Sequence, residues 1–172
     1  HTAGVAFHID ANANADSEVQ IDAGILDIDV TGAATLDAAS LDITSDAVTF
    51  TSANADDPLV QIKNTTDDAT GARLRFVKDK GGAGAADDVA GLIEFYADDA
   101  NQDQVLFSEI KSQVAVHTNG QEGGKLTLSV ASHDGESQPG LIISDGSAED
   151  EVDVTLGKMS REIYWLNILQ NF

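Results

Sequence analysis

Ile21-Asp22-Ala23-Gly24-Ile25-Leu26-Asp27-Ile28-Asp29-Val30 sets a short beat of aliphatic and acidic residues, and Leu36-Asp37-Ala38 with Leu41-Asp42-Ile43 repeats it. Both halves recur at an offset of 15 residues, 21 to 36 and 26 to 41. A fixed short period of β-type alternation is the mark of stacked or wound strands. Each unit offers one or two aliphatics and an alanine, too little to bury a core alone. The missing apolar surface has to come from neighbouring coils or neighbouring chains. The sequence therefore predicts an all-β protein. Its expected parts are an elongated, repetitive β-helical or interwoven shaft, an antiparallel β domain and a short C-terminal helix, assembled as a homotrimer.

Working outward, residues 1–57 form the repetitive shaft. Its strand-like stretches place Val19 and Ile21, then Leu26, Ile28 and Val30, then Leu41 and Ile43, then Val48 and Phe50 on one face. Asp27, Asp29, Asp42, Thr49 and Thr51 fall on the other, the period-two pattern of half-buried strands. Asp56-Asp57-Pro58 breaks the pattern and marks a domain boundary.

Residues 58–157 read as an antiparallel β domain. Leu59 to Lys63 reads as a strand, and a glycine followed by alternating apolar residues then recurs. Gly71 leads into Leu74 and Phe76, Gly91 into Ile93 and Phe95, Gly124 into Leu126, Leu128 and Val130, and Gly140 into Ile142. Glycine supplies the turn and alternation the strand. Val105 to Val116 has both helical spacing at Ile110 and Val114 and a β-branched bias, and is read as a strand. Lys78–Asp88, Asp98–Gln104, His117–Gly123 and His133–Pro139 are polar loops, and Asp145–Glu151 is an acidic turn before Val152, Val154 and Leu156.

Residues 158–172 change character. Ser160 suits a helix N-cap and Glu162 its first turn. The segment that follows is the most hydrophobic of the chain and is expected to be a trimerisation clamp. Ile163, Leu166 and Leu169 would face one another at helical spacing, with Trp165 and Phe172 covering the β domain.

Composition narrows the class. The 172 residues carry 30 acidic and 9 basic side chains, a net charge of −21. That field repels nucleic acid and anionic membrane surfaces. Cysteine is absent, so neither disulfides nor thiolate metal sites exist. No apolar run reaches the ~18 residues of a membrane span. The start, His1 to Asp16, lacks the basic and apolar regions of a signal peptide, and a chain opening on His1 reads as part of a longer or processed protein.

Candidate chemistry is sparse. Asp10, Asn12, Asn14, Asp16 and Glu18 alternate oxygen ligands, but an EF-hand requires glycine and glutamate where Ala15 and Ile21 stand. The glycine-rich stretch from Gly81 to Asp87 occurs once, whereas β-roll calcium sites stack copies. Asp98, Asp99 and Asp103 are the weak metal candidates, with weak Ca2+ binding the most this cluster supports against a solvated turn. His1, His8, His117 and His133 have no ligand spacing. Arg73, Arg75, Lys78 and Lys80 form a basic cluster suited to an anionic sugar or, more simply, to pairing with nearby acids. No nucleophile elbow or phosphate-binding glycine motif is present, and no other cofactor is expected. No catalysis is expected.

Gly71-Ala-Arg-Leu-Arg-Phe76-Val-Lys-Asp79, Gly91-Leu-Ile-Glu-Phe95-Tyr-Ala-Asp-Asp99, Ile110-Lys-Ser-Gln-Val114 and Gly123-Gly-Lys-Leu-Thr-Leu-Ser-Val130 resemble the tail-fibre and related structural fibre proteins of tailed bacteriophages, especially those of aquatic hosts. With the upstream Asp-punctuated beat, the resemblance runs from Ile9 to Leu156. It implies elongated homotrimers of interwoven β structure in the tail fibre of an extracellular virion. The implied partners are other copies, other virion tail proteins and a host-surface glycan, with no nucleic acid and no membrane insertion. The tail from Gly157 to Phe172 departs from the pattern. A bacterial surface adhesin or extracellular filament subunit shares the same β-repeat logic. A polysaccharide-degrading tailspike fragment is the weaker alternative.

Overall fold

A computed structural model describes residues 18–157. These fall into two units that meet in sequence between Pro58 and Leu59. The described residues contain β-strands and no helix. The expected C-terminal helix, with Ile163, Trp165, Leu166, Leu169 and Phe172, lies outside the described residues.

The second unit contains one open antiparallel sheet of five strands in sequential order. They are β1 (Val89–Asp98), β2 (Gln104–Val116), β3 (Gly123–Ala131), β4 (Ser137–Asp145) and β5 (Val152–Leu156). Apolar alternation holds in four of these, but Gly91, Gly124 and Gly140, expected to turn the chain into β1, β3 and β4, lie within those strands, and β2 is the segment whose β-branched residues outweigh its helical spacing. Each strand pairs with the next through a short connection, so no pairing needs a long loop closure.

Carboxylates tie the connections. Asp99 Oδ1 accepts the backbone N–H groups of Asn101 (2.7 Å) and Asp103 (3.0 Å). Glu122 accepts from Gly120 N–H at 3.0 Å. Asp134 accepts from the Ser132 hydroxyl. Glu151 Oε2 accepts the N–H groups of Ser147 (2.6 Å) and Ala148 (2.9 Å). Gly120 and Gly135 supply the left-handed backbone that two of these turns need, with φ of 78° and 83°.

Bulges adjust the register. Phe107 is unpaired where Phe95 faces Ser108 and Tyr96 faces Leu106. Gly140 is unpaired where Leu128 faces Leu141 and Ser129 faces Pro139. This bulge corrects the expected loop from His133 to Pro139. The loop ends earlier, β4 starts at Ser137, and Pro139 sits beside the irregularity, where a missing N–H is tolerated.

Residues 18–88 contain no strand. The strands expected around Val19, Leu26, Leu41 and Val48, from Leu59 to Lys63, and from Gly71 to Phe76 are not formed within a single chain. A strand is stabilised by its ladder and by a buried face, and here both are lacking. Ile21, Ile28, Leu41, Phe50, Leu59 and Leu74 are all exposed. Local side-chain bonds shape this region instead, such as Ala47 N–H to Ser45 Oγ and Thr66 N–H to Asn64 Oδ1.

No apolar side chain among the described residues is buried. Only Thr127 (8% exposed) and Ser129 (5%) are covered. Both lie on the central strand, flanked by β2 and β4.

Candidate assembly surface

The ladder register assigns the two faces of the sheet to opposite chemistries. Ile93 pairs with Ile110, Ile110 with Leu128, Leu128 with Leu141, and Leu141 with Leu156. One residue from every strand thus forms an unbroken aliphatic row across the sheet. A second row runs Ser112, Leu126, Ile143, Val154 through the same ladders. Because side chains alternate with period two, these rows share one face. Leu126 and Leu128 are each 37% exposed and Val154 is 63% exposed. The sheet has an apolar face and nothing in the described residues covers most of it.

Partial cover comes at one edge. Phe76 lies over Gly91, where a Cβ would stand 2.8 Å from the Phe76 Cβ. Gly91 is therefore needed for this approach. Phe76, Ile93, Ile110 and Leu126 line a shallow apolar hollow there.

The opposite face carries the charged side chains, with Glu94 facing Glu109, Lys111 between Leu92 and Thr127, and Ile142 beside Thr127. Lys111 Nζ donates to Glu109 at 3.4 Å. Lys125 Nζ donates to Asp87 at 3.0 Å. Glu109, Lys111 and Lys125, with Thr127, Ser129 and Pro139, line an open groove. Burial of Thr127 and Ser129 follows from that groove, since the longer Glu109, Lys111 and Ile142 side chains stand on either side.

The loop before β1 is held by its charges. Lys80 Nζ donates to Asp88 at 2.8 Å, and Asp88 also accepts the Ala85 N–H at 2.8 Å. The Lys80 hydrogen bond, helped by that backbone donor, lowers the Asp88 pKa from its ordinary value. Asp87 N–H donates to Val114 O, and Val114 N–H to Asp88 O. The stretch from Gly81 to Asp87 is thus a loop tied to β2. Lys80 of the basic cluster is taken up by this ion pair.

Asp98 ends β1, and Asp99 and Asp103 sit in the β1–β2 connection. Asp99 spends its carboxylate on backbone N–H groups of its own loop. No group of three or more His, Cys, Asp or Glu residues converges into a metal site among the described residues. Glu18 is exposed, and Asp10, Asn12, Asn14 and Asp16 lie outside the described residues, as do His1 and His8. His117 and His133 stand exposed in separate connections. No helix among the described residues is long and apolar enough to cross a membrane.

The lateral apolar row was missed by reading the sequence alone. The signal was present in the alternation of each strand, but its alignment across five strands depends on register. No protein-family model, curated protein or solved structure matches this chain.

Proposed function

We propose that this chain is a structural and adhesive subunit of a fibre, folded to completion only with copies of itself. In this reading it is part of a bacteriophage tail fibre, where a homotrimer builds a shaft and contacts the host surface without catalysing a reaction. The observation that carries the reading is the lack of any buried apolar side chain among the described residues. A chain of this length ordinarily buries about two-thirds of the surface it exposes when unfolded, mostly by covering apolar groups. Apolar rows left bare in one copy are accounted for by association.

Two further observations support it. Residues 18–57 alternate like strands yet make no ladder in one chain, which favours an interwoven shaft over a single-chain β-helix. The net charge of −21 suits a solvated fibre surface and disfavours nucleic acid as a partner. The resemblance to phage fibre segments supplies the virion setting, with other tail proteins and a host glycan as partners.

Antibody-labelled electron micrographs test the setting. Label along the tail fibres of virions is expected. Label confined to cell surfaces would replace this reading with a bacterial adhesin or filament. Cleavage of soluble host polysaccharide by the purified protein, lost on replacing one carboxylate, would replace it with a tailspike enzyme.

A further inference from the structure

We propose that the apolar face of the β1–β5 sheet is the contact between copies of this chain, with the row Ile93, Ile110, Leu128, Leu141 and Leu156 of each copy packed against the same face of its neighbours. The proposal rests on the reading of the chain as a subunit of a multimer, and adds which surface does the joining.

Charge selects the occupant. In a chain of net charge −21, copies repel one another across almost any surface. Along the two apolar rows, the ladder-paired positions are aliphatic apart from Gly91 and Ser112. Asp145, paired with Val152 at the end of β4, stands at a corner of this face. Glu109, Lys111 and Lys125 are all on the other side. A second copy offers the same uncharged, aliphatic surface, so two such faces meet without burying a charge.

Strands lie about 4.8 Å apart and rise about 3.3 Å per residue, so the face spans roughly 24 Å across the five strands and roughly 16 Å along the five residues of β5, or roughly 400 Å² before side-chain relief. That is within the ~300–600 Å² range for the largest apolar patch of a monomer, and about half the ~800 Å² per partner of a stable interface. Three faces about 24 Å wide, closed into a triangular prism, lie about 7 Å from the axis. Packed sheets stand about 10 Å apart, so each reaches about 5 Å towards its partner. Leucine and isoleucine thus reach most of the way to the axis, leaving about 2 Å at its centre.

The chain has no cysteine, so single introduced cysteines report one position each. Val154 and Thr155 are adjacent in β5, point to opposite faces and are both exposed in a single chain. In the assembled 172-residue chain, Val154→Cys should react with a maleimide at least about tenfold more slowly than Thr155→Cys, because the first must await opening of the contact. Native mass spectrometry on the same samples reports whether the multimer is intact. Equal rates on an intact multimer overturn the proposal and leave the multimer reading standing, whereas a folded monomer ends both. A photo-crosslinking benzoylphenylalanine at position 154 should join chain to chain. Links made only to residues 158–172 of the same chain would show the tail as the cover, and would overturn the proposal.

Discussion

Ile110 on β2 stands directly opposite Leu128 on β3, at the middle of an aliphatic row that crosses all five strands. In one copy Leu128 is 37% exposed. Such a pair contributes little to a lone sheet and much more once a second layer covers it, because apolar stabilisation follows the area removed from water.

Leu128→Ala should therefore destabilise the protein by about 2–5 kcal/mol, the range for a leucine in a packed core. A solvent-facing leucine would change stability by less than about 0.5 kcal/mol. Urea unfolding at a fixed protein concentration measures the difference. Loss should grow as the protein is diluted, since the stabilisation comes from association.

Phe76 and Gly91 should behave as a coupled pair. Valine at position 91 would place its Cβ where Phe76 lies, so Gly91→Val should displace the Phe76 ring from the sheet. Combining Gly91→Val with Phe76→Ala should cost less than the two single changes added together, by about 0.5–3 kcal/mol. Additive effects in the double-mutant cycle would mean that the contact does not hold the segment to the sheet.

Acid should loosen the hairpin connections. The Ser147 and Ala148 donors lower the Glu151 pKa from its ordinary 4.5. The Gly120 N–H does the same for Glu122, and the Ser132 hydroxyl lowers the Asp134 pKa from 3.8. For a carboxylate whose folded pKa is depressed, the stabilisation is complete above the unfolded value. It is lost as pH falls through the lower folded one. Melting temperature at high salt should thus hold steady down to about pH 4.5 and then fall. Glu151→Gln should flatten part of that decline. Low salt would add an opposing gain, because protonation relieves repulsion among the 30 acidic residues.

Salt should raise the melting temperature near neutral pH. Screening predicts equal responses to sodium and calcium chlorides at matched ionic strength. A calcium effect at much lower concentration, removed by Asp103→Asn, would instead establish a specific site among Asp98, Asp99 and Asp103. No response to either salt would count against repulsion as a force in this assembly.

Much of the sheet was legible in the sequence. Glycine followed by alternating apolar residues marked β1, β3 and β4, alternation alone marked β5, and β-branched residues favoured a strand at β2. The same signature at Gly71 to Phe76, and the Asp-punctuated beat from Ile21 to Ile43, gave no strand in one chain. Periodicity reports that a segment would have one apolar face, and is silent on where its ladder partner lies. For β1 to β5 the partner is the next segment along, reached by a turn that a carboxylate or glycine closes. For Leu74 or Ile28 no such neighbour exists nearby. Pro139 misled for a different reason, since the Gly140 bulge that accommodates it depends on tertiary register. The aliphatic row from Ile93 to Leu156 was hidden in the same way, because each member is one unremarkable residue within its own strand.

Native mass spectrometry of the 172-residue chain, with circular dichroism on the same sample, tests the central claim most directly. A β-rich species at three times the 18.0 kDa chain mass is the predicted result, together with loss of that species when Leu128 is replaced by Asp. A cooperatively folded, β-rich species at 18.0 kDa, unchanged by Leu128→Asp, would contradict it.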